Sequence, residues 1–281
     1  PGYCQFISLL MRGGKMVDGK KIAVQFTLLT FFIAYIMSGA LIILGHFGFM
    51  VQSTVQDTFR SFYHFLPNIP FVIYILSPAL SSYIILKKNC KVSNLRGWLK
   101  TVFYAKNSIL IYLFVFALLA LYFLIHMAIS DRTVMDIKFY MILLNLPGNL
   151  IIGGLEETGW SYILQPVLNK KYGFMLSSIL FGAIWLLWHV PLFFIPGTNH
   201  YAGIIDFWMF AVQIIAFRFC YGAIYRISGK GCVFMCVLFH TIFNAASDAV
   251  GIPPVTWAGT IAANAAVVIV SIATVVAYSN K

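Results

Sequence analysis

Charge is what this sequence has least of. Only 10% of its 281 residues are Asp, Glu, Lys or Arg, where a soluble domain carries about 25%. With 61% hydrophobic residues and a mean hydropathy of +0.89, that scarcity excludes an ordinary soluble fold. It implies an all-α polytopic membrane protein. No shift in composition and no internal repeat interrupts it, so 1–281 reads as a single membrane domain. CxxC pairs are also missing: Cys4, Cys90, Cys220, Cys232 and Cys236 lie apart and odd in number, which argues against a disulfide framework. The HExxH zinc-protease signature is absent too. Glutamate is scarcest of all, with only Glu156 and Glu157, side by side in a long apolar run.

A transmembrane helix needs about 20 mostly apolar residues. Eight runs qualify: 22–45, 70–87, 106–129, 138–164, 173–195, 204–226, 231–247 and 255–278. The first exceeds the roughly 7–15-residue core of a signal peptide and is expected to be a retained helix. The formal charge of +11 does not point to nucleic acid, because the cations lie in short loops. Arg12, Lys15, Lys20 and Lys21 precede the first run, and Lys87, Lys88, Lys91, Arg96, Lys100 and Lys106 follow the second. Lys170, Lys171, Arg226, Lys230 and Lys281 follow later even-numbered runs. The opposite side receives only Arg60, Arg132 and Lys138, and Arg218 falls inside a run. This alternation is the positive-inside pattern. It predicts an integral, multi-pass membrane protein with both termini cytoplasmic.

Between the second and third runs, Leu95, Trp98, Leu99, Val102 and Phe103 follow helical spacing, with Arg96 and Lys100 on another face. That pattern predicts an amphipathic helix on the cytoplasmic leaflet. The fourth run is irregular. Pro147 cannot donate to the carbonyl of Leu143, and Gly148, Asn149, Gly153 and Gly154 follow, so a kink or break is expected. Such backbone is tolerated where it borders an internal cavity.

A carboxylate at membrane depth costs roughly 2.5–3.5 kcal/mol on insertion scales. Two adjacent ones point to a site. Other polar residues at depth are His189 in the fifth run and His240 and Asn244, one turn apart, in the seventh. Counted from the cytoplasmic ends of their runs, Glu156 lies about 12 Å deep, His240 about 14 Å and His189 about 24 Å. The first two agree, and His189 is too deep. Trp185 and Trp188 read as packing. His46, His64, His126 and His200 are given no role, and Asp206 and Asp248 read as solvated outer ends. Glu156, Glu157, His189, His240 and Asn244 together form a credible acid–base or metal constellation.

Glu156-Glu157-Thr158-Gly159-Trp160, His189 preceded by an aromatic four residues back, and His240-x-x-x-Asn244 resemble the three motifs of the CPBP family. These are the CAAX proteases and bacteriocin-processing (Abi) enzymes, which include the type II CAAX prenyl endopeptidases. The resemblance covers about 138–247, which would be the catalytic core. It departs at Ser161, where the family pattern has Arg, and at Trp185, where Phe is usual.

The resemblance implies an intramembrane endopeptidase acting on a prenylated CAAX-type C-terminus or a bacteriocin or pheromone precursor. Glu156 with His189 would activate a water, His240 and Asn244 would stabilise the oxyanion, and Glu157 would support them. Its partners would be membrane lipid and a peptide or lipidated protein, with no nucleic acid. No cofactor is favoured, and zinc is the alternative, since Asn is not a usual zinc ligand. The competing readings are a proton-coupled transporter, which would also bury Glu and His, and a catalytically silent scaffold of the same fold.

Overall fold

The computed structural model describes residues 16–52, 61–130, 139–228, 232–250 and 256–279. Cys4, Arg12, Lys15, Arg60, Arg132, Lys138, Lys230, Lys281 and the side chain of His64 lie outside the described set. Every regular element among the described residues is helical.

Helix α1 (Met16–His46) packs on α2 (Ile69–Lys88). The face that α1 buries is Ala23, Phe26, Thr30, Ala34, Ser38 and Leu41, at intervals of three or four, while Val24, Leu28, Phe32, Ile36 and Ile43 point outward. In lipid, apolarity cannot select the packed face, and small residues that let backbones approach can. The inner face of α2 follows the same rule with Ser77, Pro78, Ala79, Ser81 and Ser82. The short helix α3 (Leu95–Val102) starts at Asn94, whose side-chain oxygen accepts from the Gly97 amide at 2.8 Å.

Helix α4 (Ile109–Ser130) leads towards α5 (Phe139–Ile151), which continues through Pro147. The expected break falls at Gly153 and Gly154 instead. A 3-10 turn (Gly154–Thr158) and a π turn (Trp160–Leu164) follow, and then α6 (Gln165–His189). Helix α7 (Phe207–Ile227) packs against α6, α8 (Phe234–Val250) against α5, and α9 (Trp257–Ser279) against both α4 and α7.

The fourth passage through the membrane does not end near 164. Gln165 is fully buried, its side-chain amide donates to Asn169 Oδ1 at 3.2 Å, and the Ser177 hydroxyl donates to the same oxygen. These bonds pair the Gln165 amide nitrogen and the Ser177 hydroxyl with Asn169, polar groups that would otherwise mark a loop. The chain turns at Gly173, whose φ of +72° is left-handed and suits a residue without Cβ. Glu156 lies about as far before this turn as His189 lies after it. The depth mismatch therefore disappears once the turn is placed correctly.

Among the described residues, six helical segments are long and apolar enough to cross a membrane, one of them the 41-residue stretch Gly154–Phe194 that folds back at Gly173. With the shorter apolar helices Phe139–Ile151 and Phe234–Val250, they accommodate the eight passages read from the sequence.

Candidate active site

The turn that carries the glutamates is pressed onto α8. A Cβ on Gly153 would collide with the Asn244 amide and lie 3.3 Å from the His240 ring. One on Gly154 would collide with the Thr241 hydroxyl and lie 3.1 Å from the Val237 carbonyl. Only glycine permits this approach, and the approach brings Glu156 and Glu157 beside His240. The turn is closed by Glu156 N donating to Gly153 O at 2.8 Å and Gly159 N donating to Glu156 O at 3.0 Å. The π turn after it is a local departure of the kind frequent at functional sites.

Glu157 is fully buried and saturated with donors. Arg218 grips it with both terminal nitrogens, Nη2 to Oε1 at 2.8 Å and Nη1 to Oε2 at 3.2 Å. His240 Nδ1 lies 3.2 Å from Oε1, and the Ser161 hydroxyl donates to Oε2. Arg218 itself is fully buried inside aromatic rings, its guanidinium carbon 3.7 Å from the Trp185 ring centre, 4.0 Å from Tyr221 and 4.6 Å from Phe181. A forked ion pair with cation–π contacts is the arrangement that makes a buried arginine tolerable.

Glu156 is 4% exposed and accepts from Trp185 Nε1 at 3.1 Å. His189 is 8% exposed, and its Nδ1 lies 2.8 Å from the Trp185 carbonyl. A carbonyl only accepts, so Nδ1 carries the hydrogen and Nε2 of the neutral ring is the free acceptor. The end of α6 is held firmly. Tyr74 donates to the Trp188 carbonyl at 2.8 Å and stacks on its ring at 5.0 Å, and Trp188 Nε1 donates to Ser77 at 3.1 Å.

Trp185 thus touches Glu156, His189, His240 and Arg218. Its edge-on ring contacts reach His189 at 5.0 Å and His240 at 5.7 Å. Its indole holds Glu156, and its face covers Arg218. Among the described residues, no hydrogen bond joins Glu156 to His189 directly, and Trp185 bridges them. Asn244 is half-buried, one turn beyond His240 and against Gly153.

Two participants were missed in the sequence. Arg218 stood out only as a cation inside an apolar run, and nothing in the chain pairs it with a glutamate 61 residues away. Trp185 was read as packing, which it is, but its N–H also faces a carboxylate. Among the residues given no role, Asp206 caps α7 by accepting from the Trp208 and Met209 amides, and Asp248 accepts from Asn149 at 2.8 Å.

Residues 137–246, which hold Glu156, Glu157, Trp185, His189, Arg218, His240 and Asn244, match the family model described as type II CAAX prenyl endopeptidase Rce1-like. Both this match and a curated relative support the CPBP family of CAAX proteases. The relative is a "CAAX prenyl protease 2" from Methanococcus maripaludis, 38% identical over 52 residues. That alignment takes in 18% of this chain and 19% of the relative's length. The matched segment begins just before α5 and ends within α8, so it contains the glutamate turn, α6, α7 and the His240 face.

Proposed function

We propose that this protein is an intramembrane endopeptidase that hydrolyses a peptide bond near the prenylated C-terminus of a membrane-associated protein, with Glu156 as its working carboxylate. The observation that carries this reading is the contrast in donors. Glu157 is neutralised by a forked guanidinium, whereas Glu156 meets one neutral N–H and keeps an oxygen to bind water.

In the proposed chemistry, a water held between Glu156 and His189 Nε2 gives its proton to Glu156 as its oxygen attacks the scissile carbonyl carbon. The tetrahedral oxyanion is met by His240 and the Asn244 amide. Glu157, 3.2 Å from His240 Nδ1, orients the ring for this. Collapse breaks the C–N bond, and the proton on Glu156 passes to the departing amine. Trp185 sets the positions of both Glu156 and His189. Ser161, where the family pattern has arginine, does not leave Glu157 without a cation, because Arg218 reaches it from α7. This favours an active enzyme over a silent scaffold.

Zinc fits the donor set poorly. Its usual ligands are Cys, His and carboxylate. Glu157 is occupied by Arg218, His240 Nδ1 lies on Glu157, and Asn244 is an amide. Among the described residues no group of three or more His, Cys, Asp or Glu is disposed to hold a metal ion.

The test is cleavage of a quenched, prenylated CAAX peptide by purified protein, beside Glu156→Gln and after prolonged dialysis against a strong chelator. Wild-type turnover should survive dialysis, and Glu156→Gln should have none. Activity lost on stripping and restored by one zinc per chain would overturn the metal-free mechanism. Absence of cleavage by wild type on this and on bacteriocin-type precursor peptides would overturn the protease reading.

A further inference from the structure

The active-site reading leaves helix α3 unused, and the structure ties that helix to the glutamate turn. Trp98 is buried, and its Nε1 donates to Ser82 Oγ at 3.3 Å. Ser82 Oγ in turn donates to the Thr158 carbonyl at 2.8 Å. Thr158 closes the turn that holds Glu156 and Glu157. Two bonds therefore connect α3 to the residue after Glu157. Downstream of α3, Cys232 Sγ donates to the Tyr104 carbonyl at 3.1 Å, and Asn107 Nδ2 donates to Cys232 Sγ at 3.2 Å. Cys232 immediately precedes α8, so the same segment also touches the base of the helix bearing His240 and Asn244.

Among the described residues, Phe103 beside α3 meets Phe234 of α8 with ring centres 6.4 Å apart, and the sides of α3 away from Trp98 are otherwise largely exposed. Around its axis, Trp98 and Val102 face the protein. Leu95, Leu99 and Phe103 form the adjoining ridge and are 51%, 37% and 39% exposed. Arg96 and Lys100 come next, both exposed. An apolar ridge flanked by cations suits a helix lying at the lipid headgroup level, with its apolar side chains among the acyl chains. The charge of the partner follows from the surroundings. Between Lys87 and Lys106 lie Lys88, Lys91, Arg96 and Lys100 and no acidic residue. Among the described residues none of these cations pairs with a carboxylate. Such a juxtamembrane cluster attracts anionic lipid by about 1 kcal/mol per basic residue.

We propose that α3 is a docking surface for anionic lipid headgroups, and that the Trp98–Ser82–Thr158 chain transmits this docking to the glutamate turn. Lipid that seats α3 holds Trp98 against Ser82, and Ser82 then fixes the Thr158 carbonyl at the end of the turn.

Hydrogen–deuterium exchange on the full chain reads this without any cleavage assay, so the outcome is independent of the protease reading. The protein is reconstituted in phosphatidylcholine vesicles with and without phosphatidylglycerol. Anionic lipid should slow exchange in 95–103 and in 153–161 by about 5- to 30-fold, and high salt should remove most of the effect. Arg96→Gln with Lys100→Gln should lose protection in both segments. Trp98→Phe, which keeps the ring and removes the N–H, should keep it in 95–103 and lose it in 153–161. Ser82→Ala breaks the chain at its middle and should match Trp98→Phe. Equal exchange with and without phosphatidylglycerol would overturn the docking surface. Protection by polyglutamate in neutral vesicles equal to that by lipid would replace lipid with an acidic peptide. Undiminished protection of 153–161 in both Trp98→Phe and Ser82→Ala would overturn the transmission.

Discussion

Around Glu157, donors meet both carboxylate oxygens: two from Arg218, one from Ser161 and one from His240. Around Glu156, one indole N–H is the donor from the protein. The two residues are adjacent in sequence and equally removed from bulk water, so burial does not separate their roles. Pairing does. A carboxylate forked by arginine is a fixed part of the structure, and it orients His240. One left with a single neutral donor keeps the freedom to take and return a proton. Adjacent residues on a 3-10 turn point about 120° apart, which lets one face α7 while its neighbour faces the end of α6.

The largest effect that would sharpen this contrast is on turnover. Glu156→Gln should lower kcat by about 10²–10⁴-fold while leaving the unfolding temperature near wild type. Glu157→Gln should instead act on the fold. It leaves a buried guanidinium without its counter-charge, a loss of about 3–5 kcal/mol. Unfolding in detergent should show a lowered transition, and adding Arg218→Met should recover part of it. A double variant no more stable than Glu157→Gln alone would mean that Arg218 is not the partner that matters.

Asn244→Ala should cost about 10²–10³-fold in kcat through a lost oxyanion donor, with Asn244→Asp no better. A zinc site would reverse that order, because carboxylate is a zinc ligand and amide is a poor one. Trp185→Phe retains the ring over Arg218 and removes the hydrogen bond to Glu156. It should reduce kcat by about 10- to 100-fold, in proportion to one hydrogen bond to a charged group. Reporter fusions read topology rather than activity. A fusion after Lys171 should read cytoplasmic and one after Asn199 external, and the same side for both would break the fold-back at Gly173.

The helical passages were legible because apolar runs of this length have few alternatives. The glutamate turn was legible because carboxylates at depth are expensive, and a break near it because Pro147, Gly148, Asn149, Gly153 and Gly154 cluster there, although the helix runs on through Pro147. The end of the fourth passage was not legible. Gln165, Asn169, Lys170 and Lys171 look like a loop, and the bonds of Gln165 and Ser177 to Asn169, with the left-handed turn at Gly173, extend the passage. The division between the two glutamates was not legible either. It depends on Arg218, whose partner lies on another helix, and on the Trp185 N–H, which no spacing rule distinguishes from an indole that only packs.

The most direct test uses the scarcity of glutamate. Because Glu156 and Glu157 are the only two in the protein, carboxyl-¹³C glutamate introduced by cell-free synthesis labels those two side chains alone. Infrared difference spectra are recorded on adding a non-hydrolysable transition-state analogue of a prenylated CAAX peptide. The account predicts that one labelled carboxyl band changes, that this band is missing in Glu156→Gln, and that the Glu157 band stays where it was. A spectrum in which the Glu157 band moves and the Glu156 band does not would contradict the division of roles between them.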